Sequence, residues 1–151
     1  MLRISVFEFR IYFQFMNKLK IYTDGGARGN PGPAGLGAVI YDSAGKVIKK
    51  IGEYLGEKTN NEAEYEAVLR ALTEAKALGA KEVEVVLDSE LVARQLNNIY
   101  RAKNHRMLEL LLKVRALEAG FKKTTYRHVP REENAVADSL VNEAIDKKGA
   151  V

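Results

Sequence analysis

The period of the hydrophobic pattern changes repeatedly along the chain, and each change marks an element. Leu19 to Thr23 alternates with Lys20 and Tyr22 and predicts a strand that ends on Asp24. The glycines and proline of Gly25-Gly26-Ala27-Arg28-Gly29-Asn30-Pro31-Gly32 are expected to stop it, leaving a loop whose glycines admit a bulky ligand to the backbone. Leu36–Tyr41 and Val47–Leu55 predict an antiparallel hairpin around the turn Asp42–Lys46. Residues 60–78 carry the clearest helical pattern, with Thr59 or Asn60 as cap and Gly79 as stop. Glu82–Leu87 reads as a fourth strand. Asp88-Ser89 then opens a short helix with Leu91, Val92, Ala93 and Leu96 as its apolar residues. After a linker over 97–103, a helix runs from His105 to Ala119, a fifth strand from Phe121 to Val129, and a last helix from Asn134 to Lys147. The order β-β-β-α-β-α-α-β-α predicts an α/β domain. Its sheet is mixed and five-stranded, three strands antiparallel and the later ones parallel through right-handed crossovers, with helices packed on it. Ligands of such sheets gather beyond the carboxyl ends of the parallel strands, where Asp24 and Asp88 fall.

Two further acids stand where the pattern calls for apolar residues. At about 100° per residue, Glu64 shares a helix face with Val68, Ala71, Leu72, Ala75 and Leu78, the core face. Glu62 lies opposite with Glu66 and Thr73, and reads as a solvated first-turn acid favoured by the helix dipole. Asp138 shares a face with Ala135, Val141 and Ile145. Each acid has a plain structural alternative: a turn-initiating Asp24, an N-cap at Asp88, a salt bridge from Asp138 to a buried arginine. Four converging carboxylates cannot all stay ionised unaided. A hard divalent cation resolves this, and Mg²⁺ suits an all-oxygen ligand set. Two ions about 3.5–4 Å apart would clamp the attacking and leaving oxygens of a phosphoryl displacement.

Composition narrows the choices. The 151 residues suit one domain, and the absence of cysteine excludes disulfides and thiolate metal sites. A net charge of +4 favours an anionic partner only mildly. The first sixteen residues are rich in aromatics, yet too short and too charged for a membrane span and unlike a signal peptide. Met16-Asn17-Lys18-Leu19 reads as a natural start, so residues 1–16 are expected to form an extension outside a domain over 17–148. An added edge strand and a partner-binding segment are the alternatives.

Several of these residues form familiar motifs. Thr23-Asp24-Gly25-Gly26-Ala27-Arg28-Gly29-Asn30-Pro31-Gly32 resembles the opening motif of type 1 ribonuclease H, and Thr59-Asn60-Asn61-Glu62-Ala63-Glu64 its second. Asp88-Ser89 resembles the third. Val129-Pro130-Arg131-Glu132, followed by Asn134, Ala137, Asp138 and Leu140, resembles the fourth in the form common to archaeal-like and plant-like members. The resemblance runs from about Leu19 to Ala144 and implies the ribonuclease H fold. It implies endonucleolytic hydrolysis of the RNA strand of RNA–DNA hybrids, leaving 5′-phosphate and 3′-hydroxyl ends, in a cytoplasmic, monomeric enzyme without a membrane partner. Asp24, Glu64, Asp88 and Asp138 match the family's catalytic acids, which hold two Mg²⁺ ions with substrate, and Mn²⁺ can substitute. Gly25, Asn30, Thr59, Asn60, Asn61, Ser89 and Asn134 fall at substrate-contacting motif positions. Double-stranded RNA, which also offers 2′-hydroxyls, is a possible additional substrate. A catalytic histidine of some members has its counterpart by spacing in His128, although His128 stands at a strand end, where a structural role is the alternative. Arg131 is the other candidate for that auxiliary part. The basic helix and loop that many bacterial members insert after the short helix has no room in residues 97–104.

Overall fold

The computed structural model describes residues 3–151. Met1 and Leu2, the start of the expected extension, lie outside the described residues. Five strands form one sheet: β1 (Lys18–Ala27), β2 (Gly32–Tyr41), β3 (Val47–Lys58), β4 (Glu82–Leu87) and β5 (Lys123–His128). Their spatial order is β3-β2-β1-β4-β5. β1–β2 and β2–β3 pair antiparallel, while β1–β4 and β4–β5 pair parallel, as the element order requires. The helices are α1 (Val6–Met16), α2 (Asn60–Ala77), α3 (Glu90–Leu96), α4 (His105–Glu118) and α5 (Ala135–Lys147). No described helix is long and apolar enough to cross a membrane.

β1 does not stop at Asp24. It continues through Gly25, Gly26 and Ala27, paired with Leu36, Gly35 and Ala34 of β2. The glycines that argued against a strand serve helix packing instead. A Cβ on Gly25 would lie 2.1 Å from the Ala63 carbonyl oxygen of α2, and one on Gly37 2.3 Å from that of Ala137 on α5. Gly25 therefore admits a helix where the sequence suggested a ligand.

The two faces of the sheet are unequally covered. Leu19, Ile21, Val83 and Val85 point to one face and pack on Tyr65, Val68 and Leu72 of α2 and on Leu110 and Val114 of α4. Each such fully buried side chain contributes about 1.5–3 kcal/mol. On the other face Val39 packs on Ala137 and Leu140 of α5, flanked by Tyr22, Tyr41 and Val151.

The N-terminal segment forms neither an edge strand nor a loose tail. Ser5 caps α1 by accepting from the Glu8 N–H at 3.0 Å, and Glu8 accepts from the Ser5 N–H. Ser-x-x-Glu is a capping box that the aromatic content of the segment concealed. Met16 is buried, and the Phe15 carbonyl accepts from the Ser43 N–H and hydroxyl.

Candidate active site

The last parallel pair between β1 and β4 is Thr23 with Leu87. Asp24 and Asp88 each come one residue later, side by side at the carboxyl ends of adjacent strands. Asp24 and Glu64 are buried. Glu64 arrives from the first turns of α2, whose approach to β1 depends on Gly25 having no side chain. Carboxylate oxygens of Asp24, Glu64 and Asp88 lie within 4.8 Å of one another. These three acids, with Asn60, Asn61, Arg131, Asp138 and Asn142, line a cleft of about 450 Å³.

The charge balance of the cleft is unfavourable without a counter-ion. Burial, then the charge of Asp88 and contact with Asp138, pushes the Asp24 carboxyl up to about 8. Burial, then the charges of Asp24 and Asp88, raises Glu64 well above the usual range. Asp88 is also raised, chiefly by burial, with Arg131 opposing the shift. One Glu64 oxygen is buried with no hydrogen-bond partner. An unpartnered buried oxygen beside two other hard oxygen donors fits a divalent cation.

Asp138 lines the same cleft but stands outside the cluster of three. Its side chain is 34% exposed, and its oxygen lies 3.8 Å from the largely exposed Arg131 guanidinium. The buried-arginine alternative for Asp138 therefore fails. So does the N-cap alternative for Asp88, because Ser89 caps α3 by accepting from the Val92 N–H at 3.3 Å. Glu62 is less solvated than the helix arithmetic suggests. It completes the Thr59 capping box at 3.1 Å and pairs with Arg106 of α4 at 3.1 Å.

The remaining candidates separate by position. Asn30 Oδ1 accepts from the Asn60 N–H at 3.0 Å, and Asn60 Oδ1 from the Ala27 N–H at 2.8 Å. Their acceptors are thus engaged in tying the β1–β2 turn to α2. Their side-chain amide donors have no protein partner among the described residues. Thr59 accepts from the Glu62 N–H at 3.1 Å. Asn134 stands beside the acids, its side chain against the Asp88 carboxyl. It is buried and donates to the Thr23 carbonyl at 2.8 Å, bracing the end of β1 against a short 3₁₀ turn, Arg131–Asn134. It is also no side-chain cap for α5. His128 ends β5 in register with Leu87, the residue before Asp88, and lines a different cleft with Arg94 and Asn97. Asn142 went unnoticed in the sequence. It stands one turn beyond Asp138 with its amide nitrogen 3.5 Å from the Asp138 carboxylate, and the i, i+4 spacing was the available signal.

The family model described as "Reverse transcriptase-like" matches residues 22–144. The chain is 41% identical over 130 residues to the bifunctional protein Rv2228c of Mycobacterium tuberculosis, covering 85% of this chain and 36% of that protein. It thus spans about a third of that relative. The crystal structure of RNase H1 from Halobacterium salinarum NRC-1 superposes with a TM-score of 0.84 at 38% identity, over 86% of this chain and 98% of the other. LC11-RNase H1, isolated from compost and solved in complex with RNA/DNA hybrid, superposes with a TM-score of 0.82 at 48% identity, over 86% and 98%.

Proposed function

Since the chain belongs to the type 1 ribonuclease H family, we propose that it hydrolyses the RNA strand of RNA–DNA hybrids endonucleolytically, leaving 5′-phosphate and 3′-hydroxyl ends. The observation that carries this reading is the convergence of Asp24, Glu64 and Asp88 within 4.8 Å at the carboxyl ends of the parallel strands.

Asp24, Glu64 and Asp88, with Asp138 at the open side, would hold Mg²⁺, or Mn²⁺ in its place. The bound metal supplies positive charge for the attacking and leaving oxygens of an in-line displacement at phosphorus. The chain's own part is positional. Gly25 and Asn134 fix the β1 end, so that Asp24 and Glu64 stay together without rearrangement. Arg131 brings a mobile positive charge to the exposed side, near Asp88 and Asp138. The outward amide donors of Asn30 and Asn60 suit the acceptors of a minor groove, and the 2′-hydroxyl there distinguishes RNA from DNA. His128 does not line the acid cleft, and this reading gives the auxiliary part to Arg131.

The test is cleavage of end-labelled RNA–DNA, RNA–RNA and DNA–DNA duplexes with Mg²⁺ and with chelator, beside Asp24→Asn. Metal-dependent cutting of the hybrid's RNA strand, lost in the variant, is expected. The RNA–RNA lane sets the substrate range. Hybrid binding without any cutting would favour an inactive binding module of the same fold.

A further inference from the structure

A second cleft, of about 770 Å³, lies apart from the acid cleft. It lies on the sheet face that α5 leaves partly open, with Tyr22, Val39 and Tyr41 as apolar floor and Val136 as wall. Its rim carries both signs, Lys18 and Lys20 against Asp42, Glu84, Glu132 and Glu133. Beside it stands α1. Val6, Phe9 and Phe13 follow one another at i, i+3 and i+7 along that helix, with Tyr12 at their flank, and all are exposed. The rings are already ordered, Phe9 and Phe13 edge-on with centroids 4.6 Å apart. An aromatic side chain spans about 150–250 Å², so with about half of each ring exposed and Val6 70% exposed this helix offers roughly 400 Å² of apolar surface. Patches of this size are often functional.

We propose that two copies of this chain associate through reciprocal docking, the α1 stripe of each entering the Tyr22–Tyr41–Val136 groove of the other. Three observations select a second copy over other occupants. First, Ser43 both holds the carboxyl end of α1 and lines the groove, so helix and groove are neighbours on one side. One two-fold axis can then exchange both at once. Second, the charges are of opposite balance: residues 3–16 carry Arg3 and Arg10 against Glu8, while the groove is lined by Lys18 and Lys20 against Asp42, Glu84, Glu132 and Glu133. A helix adapted to an anionic lipid surface would carry a basic flank instead. Third, helix plus groove from each chain approaches the ~800 Å² per partner of a stable interface, which the helix alone does not. The groove begins at Lys18, about 20 Å along β1 from Asp24, and reaches Tyr22 and Val136, two residues short of Asp24 and Asp138, yet it shares no lining residue with the acid cleft. Such a dimer departs from the monomer expected from the sequence.

Light scattering on the eluting full-length chain at micromolar concentration tests it, by mass and independently of any activity. The expected mass is twice 16.8 kDa. The double variant Phe9→Glu/Phe13→Glu and the single variant Val136→Glu change exposed positions, and each should fall to the single-chain mass with its circular dichroism unchanged. An equimolar mixture of the two should regain dimers, because it retains one intact helix and one intact groove per pair. Three outcomes overturn the proposal: a native chain that stays single up to about 100 µM, a free energy of association weaker than about −5.5 kcal/mol; a Val136→Glu variant that stays dimeric, which means the helices pair with each other; or a chain monomeric in solution that sediments with phosphatidylserine vesicles, which means a lipid surface takes the stripe.

Discussion

The acid cleft has two unlike halves. In one, Asp24 and Glu64 are buried, and their backbones are locked by the Gly25–Ala63 approach and by Asn134 on the Thr23 carbonyl. In the other, Asp138 is a third exposed, and its neighbours Arg131 and Asn142 are exposed side chains. The closed half assembles donors at fixed spacing at the expense of charge repulsion, which its raised pKa values record. The open half faces solvent, where charge is screened and adjustment is easy. Preorganisation thus resides on the strand ends and α2, and adaptability on the first turns of α5.

The widest separation between the halves should appear in turnover. Asp24→Asn or Glu64→Gln is expected to lower kcat at least about 10³-fold while hybrid affinity stays within a few fold, since an amide keeps the shape and loses the charge that a metal requires. Asp138→Asn, at the exposed side, should cost about 10–100-fold and be partly recovered by raised Mg²⁺. Single-turnover cleavage with separate binding measurements would read both. An Asp138→Asn loss as deep as that of Asp24→Asn would erase the distinction between the halves.

Gly25→Ala attacks the closed half through the backbone. The added methyl group meets the Ala63 carbonyl oxygen and the Glu64 amide nitrogen at 2.1 and 2.5 Å, so α2 must move off β1. Overpacking of this kind costs about 3 kcal/mol or more. Urea unfolding should show the loss, and activity should fall with it because Glu64 leaves Asp24. Gly45→Ala, at an open turn with φ +83°, should cost only about 1–2 kcal/mol, from backbone strain alone.

pH separates the halves more gently. Asp24, Glu64 and Asp88 all have folded-state pKa values above their ordinary ones. Between the usual carboxylate value of 3.8 and about 8, the folded protein binds more protons than the unfolded chain, so these groups lower stability as pH rises through that window. In chelator, the melting temperature should decline from pH 5 to pH 8 through this contribution. Asp24→Asn should flatten the decline and stabilise the metal-free protein at pH 8 by about 1–3 kcal/mol. Added Mg²⁺ should raise the native protein's melting temperature most at the alkaline end, and the variant's much less.

The open and closed halves were not equally legible in the sequence. Helix periodicity alone chose Glu64 over Glu62, because an acid on a buried stripe is conspicuous, and strand ends brought out Asp24 and Asp88. The sheet order followed from which connections were long enough for crossovers. What stayed hidden was contact between elements. Gly25 looked like a strand breaker, and Gly37 gave no sign of its role, because the helices pressing on them are distant in sequence. The bond from Asn134 to the Thr23 carbonyl was hidden because the two are 111 residues apart. His128 had a suggestive spacing, and its strand end in register with Leu87 lines a cleft other than that of the acids. Even α1 was hidden in plain view: its Ser-x-x-Glu start is local, yet the run of aromatics masked the helical period.

Glu62 supplies the smallest effect and the closest control, being two residues from Glu64 on the same helix. Burial raises its pKa, but the Thr59 backbone hydrogen bond and Arg106 outweigh this, and the net shift is downward from 4.5. A carboxylate depressed in this way adds stability above its unfolded value and loses it as pH falls through the folded one. Glu62→Gln keeps an acceptor for the Thr59 N–H and gives up only the partly exposed ion pair, so about 0.5 kcal/mol is expected at pH 7. That difference should shrink as pH falls below 4.5 and through the lowered folded value, as the native Glu62 is itself protonated. Turnover on the hybrid should stay within twofold, because neither oxygen of Glu62 reaches the acid cluster. If instead Glu62→Gln abolished cleavage and Glu64→Gln spared it, the face of α2 assigned to the site would be the wrong one, and the closed half would have to be rebuilt around Arg106.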